Sequence, residues 1–116
     1  MKVLIDADDA ALALKTLLVE YLRSRGVNTL DLAYQDSVEG DCYYPDVAYN
    51  LALKLVAGEG DLGILLCGTG LGMAITANKV EGVYAGTAHD TYSAQRLRKS
   101  NNANVLTLGA RGVGPE

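Results

Sequence analysis

The sequence predicts an α/β fold, a parallel sheet of five strands with helices packed on both faces. Three observations carry that expectation. Short β-like apolar runs alternate with helical ones along the whole chain. The opening run at 2–7, KVLIDA, is apolar almost throughout, as a strand covered on both faces requires. No repeat, linker or low-complexity segment interrupts the alternation, and 116 residues make one domain able to bury most of its apolar surface without staples.

Taken in order, the first strand is 2–7. A helix follows in which Leu14, Leu17, Leu18, Tyr21 and Leu22 recur at helical spacing, with Gly26 suited to cap its carboxyl end. The second strand covers 27–33, and the polar stretch 34–44 is long enough to suggest a role of its own. Pro45 and Asp46 start the next helix, whose apolar stripe is Val47, Ala48, Leu51, Ala52, Leu55 and Val56 and which ends at Gly58. The third strand, 62–66, runs into a glycine-rich turn and a helix around 70–79. The fourth strand is 82–88, Asp90 caps a helix over about 91–100, and the fifth strand is 104–109. Ligands of such sheets bind beyond the carboxyl ends of the strands. That rule gathers residues 6–9, 67–72, 88–90 and 109–111 on one rim, with the polar loop around Tyr44 able to cover it.

Composition narrows the chemistry. With 49% apolar and 21% charged residues the chain reads as folded rather than disordered. Its net charge is −4, and its one basic cluster, RLRK at 96–99, suits a solvated helix end, so no nucleic-acid partner is expected. The apolar start is too short for a signal peptide and no stretch approaches a membrane span, so no membrane partner is expected either. Cys42 and Cys67 form neither a disulfide framework nor a C-x-x-C pair, which points to a reducing cytoplasm and away from thiol redox chemistry. One histidine and two separated cysteines cannot fill a zinc site.

The stretch CGTGLG at 67–72 is the chemical centre of the sequence. Its glycines, Gly68, Gly70 and Gly72, have the wrong spacing for a dinucleotide fingerprint, and no Walker A pattern is present. A cysteine-phosphatase loop would put an arginine where Met73 stands. What remains is a turn whose backbone N–H groups can approach an anion closely at the start of a helix. A thiol at its edge can serve as nucleophile or general base. The competing reading is a small buried strand-end cysteine beside a tight turn.

The blocks MKVLIDADDAA, YYPDVA, GILLCGTGLGMAITANKVEGVYAG, NNANVLTLGAR and LGARGVG resemble the type B ribose-5-phosphate isomerase family, which includes galactose-6-phosphate isomerases. The resemblance spans nearly the whole chain and is most specific in the CGTG-x-G-M…ANK block. It implies a Rossmann-like three-layer α/β/α sandwich that forms a homodimer or tetramer, each site being built from both subunits. It also implies metal- and cofactor-free interconversion of a phosphorylated aldose and ketose through a cis-enediolate. By position, Cys67 resembles the proton-carrying base, with Thr69 beside it in the catalytic loop. Gly68, Gly70 and Gly72 resemble the oxyanion cradle. Asp8, Asp9, Tyr44 and Asn101 resemble substrate-contacting residues, and Arg111 a phosphate ligand.

Three departures from the family pattern bear on the substrate. Asp9 stands where the first loop commonly has histidine, and Ser100 where the histidine that opens a furanose ring commonly precedes Asn101. The resemblance also implies a C-terminal helix for which the 116 residues have no counterpart. Ribose 5-phosphate is the family's default substrate. A tetrose 4-phosphate is the alternative, because it cannot close a furanose ring and needs no ring opening. A non-catalytic sugar-phosphate-binding or subunit-completing protein is the rival from another class. His89, at the end of the fourth strand, is a candidate replacement for the lost histidine, against the reading of an exposed helix-start residue.

Overall fold

The computed structural model describes residues 1–37 and 43–111. Cys42, part of the polar stretch at 34–44, and everything after Arg111 lie outside the described residues. The elements are β1 (Lys2–Ala7), α1 (Leu12–Ser24), β2 (Asn28–Asp31), α2 (Tyr44–Val56), β3 (Leu62–Cys67), α3 (Leu71–Ala77), β4 (Ala85–Thr87), α4 (Thr91–Lys99) and β5 (Val105–Gly109). Short 3-10 turns at Asp9–Ala11 and Tyr34–Ser37 complete them. The five strands form one sheet in the order β2-β1-β3-β5-β4, with every neighbouring pair parallel. The predicted α/β architecture is therefore present, with β3 at its centre.

Alternation along the strands divides the core in two. Leu4, Leu65, Cys67 and Val105 pack with Val47, Leu51 and Met73 from α2 and α3. Ile5, Ala7 and Leu66 pack with Val19 and the half-buried Leu14 and Leu18 of α1. No helix of the described residues is long and apolar enough to cross a membrane.

Several element boundaries differ from the periodicity reading. In α1 the covered positions are Lys15 and Val19, while Leu17 and Tyr21 are exposed. A cation thus takes a place in the covered stripe because it has carboxylate partners, and two of the expected core residues turn to solvent. The helix after the glycine turn spans only Leu71–Ala77, with Asn78 as its carboxyl cap and the Asn78 side chain turned to the sheet. Its side chain accepts the Ala85 N–H (2.7 Å) and donates to the Ala85 carbonyl (2.8 Å), satisfying backbone groups of the edge strand β4. β4 itself is shorter than expected. The Asn104 side chain takes the Tyr84 N–H and reaches the Gly82 carbonyl, in place of strand pairing over 82–84.

Candidate active site

Cys67 ends β3, in register with Gly109 of β5, and is 5% exposed. The next residues fold back over it. Gly70 adopts a left-handed φ of +85°, which glycine takes without strain and which turns its N–H onto Cys67 Sγ at 3.0 Å. The chain leaving β5 holds the same loop from the other side. Ala110 N–H donates to the Cys67 carbonyl (2.7 Å) and Arg111 N–H to the Gly68 carbonyl (3.0 Å). The Arg111 side chain lies across Gly68, where a Cβ would sit 3.7 Å from its Cδ. Gly109 is required by contact, since a Cβ there would lie 2.6 Å from Thr69 Cα. Thr69 itself is exposed, and its hydroxyl accepts the Leu71 N–H (3.2 Å), which leaves its own proton free to donate.

Two further segments close on this loop. Asp8 follows β1, its N–H bonded to the Leu66 carbonyl at 3.1 Å, and its carboxylate accepts the Ala10 N–H at 3.0 Å. Burial raises the Asp8 pKa above its ordinary value, and the neighbouring Asp9 pushes the same way. The Ala10 N–H and the Arg111 guanidinium oppose them. Asp9 is exposed beside it. Tyr44, the first residue of α2, lays its ring over Gly72, where any Cβ would run into it. Asp8, Tyr44, Cys67, Gly68, Thr69, Gly70, Gly72 and Arg111 thus surround one mouth at the carboxyl ends of β1, β3 and β5.

Ser100 and Asn101 do not join them. Both precede β5, whose first residue pairs with Gly63 at the start of β3, whereas Cys67 pairs with the last residue of β5. They lie at the amino ends of the strands, away from the Cys67 rim of the same chain. Antiparallel travel of α4 across the sheet is the reason: its carboxyl end must return to where β5 begins. The Ser100 hydroxyl is occupied there, accepting from Arg96 Nε at 2.8 Å. His89 is at the carboxyl ends of the strands but exposed, just past β4, which lies two places from β3.

Periodicity missed two polar clusters around the mouth. Lys15 pairs with Asp31 at 3.0 Å and with buried Asp6 at 3.5 Å. Asp6 in turn accepts the N–H groups of Ala7 (2.8 Å) and Tyr34 (3.0 Å), so it ties β1 to the turn that leads toward α2. A lysine within the helix's covered stripe was the available signal. The second cluster is a hydroxyl pair, Thr87 on β4 and Thr107 on β5, 2.7 Å apart. Threonine is an ordinary strand residue, so nothing in the pattern distinguished it.

The comparisons with known proteins agree with this geometry. Residues 3–116 match the family model described as Ribose/Galactose Isomerase. The chain is 53% identical over 116 residues to the D-erythrulose-4-phosphate isomerase of Pectobacterium atrosepticum, covering all of this chain and 76% of that protein. Ribose-5-phosphate isomerase B of Clostridium thermocellum superposes with a TM-score of 0.90 at 38% identity, over 99% of this chain and 76% of that one. The Mycoplasma genitalium ribose-5-phosphate isomerase B with bound ribulose 5-phosphate gives a TM-score of 0.86 at 38% identity, over 98% and 75%. Fold, thiol-bearing glycine turn and sequence identity lead to one conclusion: the chain belongs to the ribose/galactose isomerase family of sugar-phosphate isomerases.

Proposed function

We propose that this enzyme interconverts a tetrose phosphate pair, erythrulose 4-phosphate and erythrose 4-phosphate, with Cys67 as the base. The observation that carries the reading is the placement of Cys67 Sγ at the mouth of the glycine turn under the Gly70 N–H. As a thiolate, Cys67 removes a proton from C1 of the ketose. The C–H electron pair becomes the C1–C2 double bond, and the carbonyl oxygen takes up negative charge beside the backbone N–H groups of 68–72. Thr69, with its proton free to donate, moves a proton between the two oxygens. The Cys67 thiol then returns its proton to C2, giving the aldose and regenerating the thiolate, so no electron or proton is gained or lost. Arg111 holds the phosphate, Asp8 and Asp9 accept sugar hydroxyls, and Tyr44 walls the mouth over Gly72.

Two observations favour the four-carbon substrate. The relative at 53% identity is named for erythrulose 4-phosphate. Ser100 stands where a ring-opening histidine is expected and is bonded to Arg96, so no imidazole is offered at that position. The second reading, ribose 5-phosphate, is favoured by the structural relatives carrying that name.

We further propose a cytoplasmic homodimer. Ser100 and Asn101 lie at the amino ends of the strands of their own sheet and can serve only the site of a second subunit. The outward surfaces of α2 and α3 expose Tyr49, Leu53, Val56, Leu71 and Ile75, apolar surface that a second copy would cover. Turnover assays with both sugars test the reading. kcat/KM should be higher for erythrulose 4-phosphate than for ribose 5-phosphate, and the reverse order overturns the substrate. Cys67→Ala should lose about 10²- to 10⁴-fold in kcat, the range for a missing general base, and wild-type turnover in that variant would remove Cys67 from the mechanism.

A further inference from the structure

We infer that Thr87, backed by Thr107, is a positioning residue for the catalytic sulfur. Gly70 is held at both ends. Its N–H points at Cys67 Sγ (3.0 Å), and its carbonyl accepts the Thr87 hydroxyl (3.2 Å) as well as the Ala74 N–H that opens α3 (3.2 Å). Thr87 Oγ1 lies 2.7 Å from Thr107 Oγ1, and Thr107 is fully buried.

Proton bookkeeping gives the pair a direction. Two hydroxyls have two protons. Three contacts compete for them, and the Thr107 approach to the Gly86 carbonyl is the longest at 3.5 Å, so the shorter pair takes both protons: Thr87 donates to the Gly70 carbonyl and Thr107 donates to Thr87. The chain therefore runs Thr107 to Thr87 to Gly70. Donation from Thr107 polarises the Thr87 hydroxyl and strengthens its bond to Gly70.

Space supports the same assignment. A Cβ on Gly70 would lie 3.0 Å from the Leu108 carbonyl carbon and 3.1 Å from Thr87 Cγ2. Gly70 thus sits against β5 and β4, and the Thr87 hydroxyl adds a hold from the sheet to the one that the Ala74 N–H supplies from α3. Gly70 has no side chain of its own to anchor it, and turning it would carry the N–H away from the sulfur. An N–H aimed at sulfur steadies the negative charge that a base must hold. Thr87 therefore acts on the reaction through Gly70 without touching substrate.

The kinetic part of this inference rests on Cys67 being the base, whereas the reactivity of the sulfur does not. Two measurements separate them: steady-state kinetics with erythrulose 4-phosphate, and the rate of iodoacetamide alkylation at Cys67 followed by peptide mass spectrometry. Thr87→Val keeps the shape and removes the hydroxyl. It should slow alkylation and lower kcat by between about twofold and about tenfold, the worth of one neutral hydrogen bond, with KM unchanged. Thr87→Ser should restore both. Thr107→Val, which leaves the Thr87 hydroxyl without its donor, should move both rates the same way by less, and it carries the test should Thr87→Val fail to fold. Threonine variants that melt earlier but keep both rates would overturn the assignment. If the wild type turns over no tetrose phosphate, the substrate proposal falls, and alkylation still decides the role of Thr87.

Discussion

The two faces of the sheet are packed to different standards. On one, α2 buries Val47, Ala48, Leu51, Ala52 and Leu55, and α3 buries Met73, Ala74 and Ala77. On the other, α1 buries only Lys15 and Val19, and α4 buries no residue at all. Between α4 and the strands on that second side runs an apolar groove of about 200 Å³, lined by Val3, Ile64, Leu97 and Leu106 among others. Cys67 belongs to the tight face, in one cluster with Leu51 and Met73. The difference teaches where precision is needed. The thiol at the mouth of the glycine turn is fixed by a packed core, since interiors that dense transmit sub-ångström shifts. Ser100 and Asn101 hang on the carboxyl end of the loosely held α4.

Truncation on the tight face should have the largest effect. Leu51→Ala removes a fully buried side chain that fills the space above Gly63, where a Cβ would lie 2.7 Å from Leu51 Cδ2. It should cost about 2–5 kcal/mol of stability by denaturant titration, because neighbours on both sides are already packed. Next comes Gly109→Ala, whose new methyl meets the Thr69 backbone rather than a side chain that could swing aside. Overpacking of this sort costs about 1–3 kcal/mol, and here the strain falls on the loop that carries Cys67. Activity should therefore fall further than melting temperature suggests, measured as kcat on folded protein. On the loose face, Leu97→Ala removes a side chain that lines a groove water already reaches, so about 1 kcal/mol is expected. Equal losses for Leu51→Ala and Leu97→Ala would mean that the groove is covered in solution and the contrast between the faces is false.

The same contrast explains how much could be read in advance. Five of the six stripe positions expected in α2 are buried, with Val56 alone turned outward at 46% exposure, because a helix lying over central strands shows its period plainly. In α1 the period misled. Leu17 and Tyr21 have the right spacing for core, but the helix lies near the sheet edge and buries a narrower strip, 49% and 57% of those two residues remaining exposed. The mouth of the site was legible from strand ends and from the glycine turn, since parallel topology forces both to one rim. Which end of the strands Asn101 occupies was not. A motif match carries a residue's role but not its side of the sheet, which the α4 crossover sets. The Thr87–Thr107 pair was invisible because it depends on the register that sets these two residues opposite each other across β4 and β5, and threonine is an ordinary strand residue.

The faces are joined at the carboxyl ends of β1 and β2, where Lys15 of α1 meets Asp6 and Asp31. Burial dominates Asp6 and raises its pKa above the ordinary 3.8, although the Tyr34 and Ala7 N–H groups and Lys15 pull the other way. In the fold this carboxyl accordingly binds a proton more readily than in the unfolded chain. Its contribution to stability is full below 3.8 and is lost as pH rises through its folded value. Asp8, raised for the same leading reason, has the same sign, while Asp90, lowered by the Ser93 N–H at the start of α4, has the opposite one. Asp6→Asn removes the titration and keeps one acceptor oxygen for the two N–H groups. The stability difference between variant and wild type should therefore shift toward the variant as pH climbs from about 3 to about 7, followed by denaturant midpoints. A difference that moves toward the wild type over that range would mean the Lys15 pairing, rather than burial, governs Asp6. The join between the faces would then act as a neutralised ion pair that stabilises both, instead of a buried charge tolerated for the sake of the Tyr34 turn.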